Sequence, residues 1–125
     1  MRILTGTDII EIDRIEKSIR QFDSSFLNKI YTQNEIKYCE SKKKSKYQHY
    51  AARFAAKEAT YKAVSALLEN KFELDWTDME ITNLKDGRPI VHITNDKLNQ
   101  KIENIDISIS HCQNYAVANV VLCCK

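Results

Sequence analysis

Asp8 is the first residue whose surroundings in the sequence suggest chemistry. It lies in an apolar segment around Gly6 that is predicted to form a β-strand over residues 2–10. In a two-residue period Asp8 shares a face with Ile10 and Ile12, and a carboxylate on an apolar face needs a partner or a metal ion. An exposed carboxylate on an edge strand fits the same pattern equally well, so the strand pattern leaves both interpretations open.

A second set of reactive side chains falls in a helical segment in the middle of the chain. Glu58 and Lys62 are four residues apart and lie on one helix face, while Arg53 and Lys57 have the same spacing on another face. A carboxylate with a lysine beside it can hold Mg2+ and a substrate phosphate. Taken alone, the Glu58–Lys62 spacing is more typical of a surface ion pair, which contributes about 0.3–0.5 kcal/mol.

His111 is the third candidate, and it stands where a predicted strand enters a turn. An imidazole at this point can contact a phosphate or transfer a proton, and it can also simply hydrogen-bond to the backbone. Neighbouring residues of a strand point to opposite faces. Neither Ser110 nor Cys112 is therefore expected to form a nucleophile–base pair with His111.

The first half of the chain beyond the opening strand has helical patterns. Apolar residues recur every three to four positions up to Phe22, and a short helix is predicted over residues 24–30. Thr32 and Glu35 have the spacing of a capping box that opens a third helix. Residues 47–69 carry a stripe of alanines and no helix breaker, which predicts one long central helix.

The second half has strand patterns. Residues 79–84 and 89–93 alternate around an Asp-Gly turn and predict a β-hairpin, a short helix is predicted over 95–103, and two strands follow at 105–110 and 115–122. Helices and strands are segregated along the chain. This order predicts an α+β fold, with an antiparallel sheet packed on a long central helix plus shorter helices, in a single domain over residues 1–125.

The composition excludes several kinds of phosphate-binding protein. The 125 residues contain two glycines, Gly6 and Gly87, so neither a dinucleotide-binding GxGxxG nor a P-loop can be present. Any bound phosphate must be held by a metal, by basic side chains or by a helix N-terminus. The 19 basic and 17 acidic residues leave a net charge of +2, which is too small for a dedicated nucleic-acid-binding protein, and we expect no nucleic-acid partner.

Smaller features bear on location and partners. The basic run Lys42–Lys46 fits a solvated turn between helices or a docking patch for an acidic partner. The four cysteines lack the spacing of a zinc or disulfide framework, which favours a reducing compartment. The chain shows no signal sequence and no apolar run of membrane-spanning length, so we expect a cytoplasmic protein without membrane contact.

The candidate residues belong to three blocks of sequence: GTDIIEIDRI at 6–15, RFAAKEATYKA at 53–63 and SISHCQNYA at 108–116. Together, in this order and spacing, the blocks resemble those of holo-acyl-carrier-protein synthases, the short bacterial class of 4′-phosphopantetheinyl transferases. The resemblance implies the 4′-phosphopantetheinyl transferase fold. It also implies a Mg2+-dependent reaction of fatty-acid biosynthesis, in which coenzyme A donates its phosphopantetheine arm to a serine of an apo acyl carrier protein and 3′,5′-ADP leaves.

The resemblance also implies residue roles. Asp8 and Glu58 would hold Mg2+, and Glu58 and Lys62 would be catalytic. Contacts to coenzyme A phosphates would come from Lys62 and His111, with Arg53 and Lys57 as weaker candidates. Carrier-protein docking would involve Arg14, Lys17 and Arg20. The family assembles as a homotrimer with active sites between subunits.

One segment departs from the family pattern. A Gly-Thr-Gly turn is usual shortly after the long helix, whereas residues 63–70 contain no glycine, and we expect the helix to run on by about a turn. This departure motivates an alternative function, a non-catalytic module that retains the fold and binds a carrier protein or a nucleotide. A nucleic-acid-associated protein using Lys42–Lys46 is a weaker third hypothesis.

Overall fold

The computed structural model describes residues 1–125 and has the predicted α+β layout. Its elements in chain order are β1 (Ile3–Glu11), α1 (Ile12–Phe22), α2 (Ser24–Ile30), α3 (Gln33–Glu40), α4 (Lys46–Val64), β2 (Met79–Asn83), β3 (Pro89–Ile93), α5 (Asp96–Asn99), β4 (Ile102–His111) and β5 (Tyr115–Cys124). Single turns of 3₁₀ helix occur at Lys43–Ser45, Ser65–Leu67 and Trp76–Asp78. None of the helices combines the length and the apolar character that crossing a bilayer requires.

The strands form two antiparallel sheets. The larger has the order β1-β5-β4, and the hairpin β2-β3 is a separate two-stranded sheet, where the sequence had indicated a single sheet. In the larger sheet Asp8 pairs with Ala118 of β5, and His111 of β4 pairs with Ala116. Asp8 and His111 lie on the same face of the sheet as Ala116 and Ala118, which are buried against α4.

Helix α4 packs unusually closely on this sheet because small residues face each other. Ala55, Ala59 and Ala63 are buried in the core. A Cβ added to Gly6 of β1 would lie 1.9 Å from the carbonyl oxygen of Ala59 and 2.8 Å from the amide nitrogen of Ala63. Only glycine allows this approach, and it sets the distance between β1 and the C-terminal half of α4.

The capping box predicted at Thr32 is confirmed. The backbone amide of Glu35 donates to the Thr32 hydroxyl, and the Thr32 amide donates to the Glu35 carboxylate at 2.9 Å. These two hydrogen bonds give partners to two backbone amides at the start of α3 that the helix itself leaves free.

Two helices end earlier than predicted. The α-helical part of α4 stops at Val64 and continues only as a 3₁₀ turn, because its buried stripe ends there and Ser65 and Ala66 are exposed. The ammonium of Lys101 donates to the carbonyl of Leu67 at 2.9 Å and satisfies one of the orphan carbonyls at this end. Likewise α5 stops at Asn99, because Ile102 is already paired in β4.

Candidate active site

Asp8 and Lys62 meet where β1 passes beneath the last turns of α4. The Lys62 Nζ lies 3.2 Å from Asp8 Oδ1 and donates to the carbonyl oxygen of Thr7 at 3.0 Å. The Asp8 side chain is 16% exposed and that of Lys62 is 51% exposed. The pair is therefore open to a ligand on the lysine side.

Glu58 belongs to the same group, because it lies one helical turn before Lys62. Partial burial raises the pKa of the Glu58 carboxyl, and the negative charge of Asp8 raises this pKa further, while Lys62 lowers it. We name Asp8, Glu58 and Lys62 the carboxylate–lysine group. Two carboxylates and one ammonium leave an excess negative charge, which suits a hard divalent cation that takes one or two carboxylates. The structure contains no cluster of three or more Asp, Glu, His or Cys side chains that could hold a metal ion.

His111 lies elsewhere in the chain. Its ring centroid is 6.2 Å from that of His49, close to the N-terminal end of α4. Lys62 follows His49 by thirteen residues, which corresponds to about 20 Å of helix. The fold of the chain therefore brings together Asp8, Glu58 and Lys62 and leaves His111 near the opposite end of the helix.

The surroundings of His111 are cationic. Burial lowers the pKa of His49, and the neighbouring Lys42, Arg53 and His111 lower it further. Two of these cations lie over the ring of Tyr38. Arg53 Cζ is 3.9 Å and Lys42 Nζ is 4.8 Å from the ring centroid. Sequence reasoning did not identify His49, because no spacing links a helix residue to a distant strand end.

Lys57 does not have the predicted phosphate contact. Its side chain is fully buried, and its ammonium donates to the carbonyl of Ile30 at 2.6 Å and to the carboxylate of Glu35. The second oxygen of Glu35 accepts from the amide of Ile81 at 2.7 Å. Burial lowers the pKa of Lys57, and the Glu35 charge opposes this shift. The pair joins α3, α4 and β2 in the interior, and its complete burial keeps the Lys57 ammonium from a ligand outside.

Arg53 is also largely enclosed. It is 4% exposed, donates to the side-chain oxygen of Asn83 at 2.8 Å and stacks on Tyr38. Its Nε–H has no hydrogen-bond partner. The phosphate contact predicted for Arg53 stays a prediction, since the guanidinium has further N–H donors besides the one bonded to Asn83.

The three basic residues predicted to dock a carrier protein are exposed on α1. Lys17 forms an ion pair with Asp13 at 3.8 Å, and Arg20 forms one with Glu16 at 2.9 Å. Arg14 is exposed as well, while Ile12, Ile15 and Ile19 bury the other side of the helix. The buried isoleucines hold the helix against the core, and the basic side chains on its other side are exposed to solvent.

A cavity that the sequence did not reveal adjoins the carboxylate–lysine group. Its volume is about 550 Å³, and Glu58 lies in its wall together with Tyr61, Phe72, Trp76 and Met79. The Trp76 ring stacks on Phe54 of α4, with centroids 5.3 Å apart.

Comparison with known proteins assigns this arrangement to a family. Residues 5–120 match the 4′-phosphopantetheinyl transferase superfamily. The chain is 45% identical to the holo-[acyl-carrier-protein] synthase of Ruminiclostridium cellulolyticum, over 98% of this chain and 92% of that protein. It is 39% identical to that of Solibacter usitatus, over 98% of both chains.

Solved structures give the same assignment. The holo-[acyl-carrier-protein] synthase of Helicobacter pylori in complex with coenzyme A superposes with a TM-score of 0.84 at 31% identity, over 96% of this chain and all of that one. The enzyme of Bacillus anthracis in complex with CoA (3′,5′-ADP) gives a TM-score of 0.78 at 37% identity, over 95% and 94% of the two chains. This chain belongs to the 4′-phosphopantetheinyl transferase superfamily.

Proposed function

We propose that the protein is a holo-acyl-carrier-protein synthase that acts as one domain over residues 1–125. It transfers the 4′-phosphopantetheine arm of coenzyme A to a serine of an apo acyl carrier protein and releases 3′,5′-ADP. The observation that carries this proposal is the convergence of Asp8, Glu58 and Lys62, because phosphoryl transfer depends mainly on positioning and on neutralising charge.

Asp8 and Glu58 are the residues that would hold Mg2+. Both are oxygen donors, and the Asp8 charge is close enough to raise the pKa of Glu58, so a divalent cation held by the two carboxylates would relieve their mutual repulsion. When bound, Mg2+ supplies charge neutralisation for the coenzyme A pyrophosphate.

Lys62 and Glu58 contribute to the reaction in different ways. The Lys62 ammonium is anchored by Asp8 and the Thr7 carbonyl, half-exposed, and placed to neutralise an incoming phosphate. Glu58 is one candidate acceptor for the proton of the carrier serine, because it belongs to the same group as Lys62. The attacking hydroxyl belongs to the carrier, so the chain needs no nucleophile of its own.

A homotrimer with active sites between subunits accounts for the position of His111. Its separation from the carboxylate–lysine group leaves it available to the group of a neighbouring copy. The outer face of the larger sheet supports assembly, because Ile3 and Ile9 of β1 and Val121 of β5 are exposed on it at 56%, 63% and 46%. Apolar surface of this kind is usually covered by a partner.

The proposed acceptor docks on α1 through an acidic helix of the carrier, which faces Arg14, Lys17 and Arg20. Opposite charges of this kind mainly raise the association rate and fix the orientation. We assign the reaction to fatty-acid biosynthesis in the cytoplasm, a location with which the four free cysteines agree.

The decisive experiment incubates the protein with coenzyme A, Mg2+ and apo acyl carrier protein and measures the mass of the carrier. We expect a gain of one phosphopantetheine group that requires all three additions. An unchanged carrier mass, while a known synthase modifies the same preparation, contradicts the proposal. Calorimetry then shows whether the protein binds coenzyme A or carrier without transfer.

A further inference from the structure

Helix α1, the proposed docking surface for the carrier, has little free positive charge. Asp13 forms an ion pair with Lys17 one turn later, at 3.8 Å. Glu16 likewise forms one with Arg20, at 2.9 Å. Arg14 is the only basic residue of the helix outside an ion pair. An acidic helix that docks here therefore has to compete with the carboxylates of α1 itself.

The turn between α3 and α4 is the most basic segment of the chain, with four lysines within residues 42–46. Two of them have partners in the chain. Lys46 forms an ion pair with a glutamate of α3 at 3.3 Å, and Lys42 lies 4.8 Å from the centroid of an aromatic ring. Lys43 and Lys44 are exposed and form no ion pair. We name Lys43 and Lys44 the turn lysines, and their ammonium groups are free to meet an acidic partner.

The turn lies alongside α1, with Tyr47 of α4 next to both. Tyr47 lies in the walls of two clefts. Glu16 of α1 and Lys44 of the turn line the first cleft, and Arg20 and Lys46 line the second. The Tyr47 ring contacts a cation from each segment, because Arg20 Cζ and Lys46 Nζ are each 5.3 Å from its centroid. The turn lysines therefore continue the basic surface of α1 and do not form a separate patch.

The backbone of Lys43 is strained. Its φ is 54°, and the only other non-glycine residue with a positive φ is Asp23, in the wall of the second cleft. In this left-handed region the Cβ atom lies too close to the following carbonyl oxygen, so glycine fits it better than lysine does. Strained residues of this kind cluster at functional sites. A lysine at a position that favours glycine points to a role for its side chain.

We propose that the turn lysines are a second part of the docking surface for the acyl carrier protein, and that they bind an acidic segment of the carrier beside the helix that faces α1. The inference rests on the proposed function. Charges at the edge of an interface mainly speed association and fix orientation. Lys43 and Lys44 therefore determine how readily the carrier binds, and the rate of transfer from the bound complex does not depend on them.

The test compares the wild type with Lys43→Gly, Lys44→Gln and the double variant, and follows the mass of the carrier at varied carrier and coenzyme A concentrations. We expect each single variant to raise the KM for apo carrier at least about threefold and the double variant at least about tenfold. The kcat at saturating carrier and the KM for coenzyme A should stay within about twofold of the wild type, because rim charges act on association. Lys43→Gly should not lower the thermal unfolding midpoint, since glycine relieves the strain.

The matched control is Lys85→Gln, which removes one exposed lysine from the turn between β2 and β3, outside both clefts. It changes the net charge as Lys44→Gln does and should leave the KM for the carrier unchanged. Salt gives a second readout that a purely structural role would not alter. The difference in carrier KM between the wild type and the double variant should vanish towards about 1 M salt, where the screening length is about 3 Å.

Other uses of the turn lysines give different results. A raised KM for coenzyme A with an unchanged KM for the carrier assigns them to the donor and overturns the inference. Binding of a short DNA duplex more tightly than the carrier, lost in the double variant, assigns them to nucleic acid and also overturns it. A double variant with the carrier KM of Lys85→Gln overturns it while leaving the proposed function intact. A wild-type protein that does not modify the carrier refutes the proposed function itself.

Discussion

Asp8 and Glu58 lie close to each other and to Lys62 in the folded chain, and this proximity is the basis of their predicted role. Their predicted role is tested by Asp8→Asn and Glu58→Gln, which keep the shape of each side chain and remove its charge. We expect each variant to lose at least about 100-fold in the rate of carrier modification, the scale of removing one electrostatic contact to the transition state. The mass of the carrier over time measures this rate.

Glu103→Gln is the control for these variants, because it neutralises an exposed carboxylate on β4, away from the group. It should keep wild-type activity. Near-normal transfer by a folded Asp8→Asn or Glu58→Gln variant would refute the assigned metal role.

His49 is expected to titrate below the usual histidine pKa of about 6.5. The cause is its burial, reinforced by the positive charges of Lys42, Arg53 and His111. A folded-state pKa that lies below the unfolded one means that the unfolded chain binds the proton more readily, so this group lowers stability as the pH falls below about 6.5. NMR titration of the ring protons measures the midpoint directly.

Urea unfolding at pH 7.5 and pH 5.5 gives the corresponding stability measurement. The wild type should lose more stability over this interval than His49→Phe, which has no proton to bind at that position. An identical loss in both proteins, or a midpoint at or above 6.5, contradicts the prediction.

At the scale of elements, the contact between β1 and α4 determines whether the carboxylate–lysine group forms. Gly6→Ala places a methyl group against the backbone of Ala59 and must push the helix away from the strand. We expect a loss of at least about 3 kcal/mol in the free energy of unfolding, the upper part of the range for overpacking, and a matching fall in transfer rate. Urea denaturation and the carrier mass assay measure the two effects.

Gly87→Ala is the matched glycine control. Nothing lies within 4 Å of an added Cβ there, and the cost comes only from its positive φ of 91°, about 1–2 kcal/mol. The variant should retain transfer. Equal effects of the two substitutions would show that the close approach at Gly6 is not what positions the group.

The buried ion pair of Glu35 and Lys57 joins three elements around α4. Glu35→Gln leaves an unpaired ammonium in the interior, and we expect it to lower the free energy of unfolding by about 3–5 kcal/mol. The double variant Glu35→Gln with Lys57→Met should recover part of this loss, because no buried charge remains. Urea unfolding of both proteins measures the recovery.

Glu16→Gln is the control for Glu35→Gln, because it removes the charge from an exposed ion pair, that of Glu16 with Arg20. We expect it to lower the free energy of unfolding by less than about 1 kcal/mol. A Glu35→Gln variant no less stable than Glu16→Gln contradicts the structural role assigned to the buried pair.

At the scale of the whole molecule, the separation of His111 from Lys62 predicts that each active site combines residues of two copies of the chain. A monomer should then be inactive. His111→Ala and Glu58→Gln variants should each be inactive alone. When the two are unfolded together and refolded as a mixture, about a quarter of the interfaces combine an intact Glu58 with an intact His111 from a neighbour, and activity should return to that extent. The carrier mass assay measures the recovery.

Ile9→Lys is the companion test of assembly, because it places a charge on the outer face of the larger sheet. We expect sedimentation to show a monomer that has lost transfer. No recovery in the mixed variants, or an active monomer, refutes a site shared between subunits.

The kinds of elements and the identities of the main reactive residues could be predicted from the sequence alone. Strand alternation, the alanine stripe of α4 and the capping box at Thr32 are local signals, set by neighbours within a few residues. The shortage of glycine excluded phosphate-binding loops from the start. Asp8, Glu58 and Lys62 were recognisable because three sequence blocks matched a family pattern in order and spacing.

The contacts that these residues make could not be predicted in this way, because they depend on the three-dimensional fold. Whether Lys57 faces a phosphate or a buried glutamate, and whether His111 lies near Asp8 or near His49, depends on contacts between segments far apart in the chain. The cavity beside Glu58 arises in the same way, because α4, the segment after it and the start of β2 each supply part of its wall. Such contacts depend on how closely two backbones approach, as at Gly6, and a local sequence pattern does not record that distance.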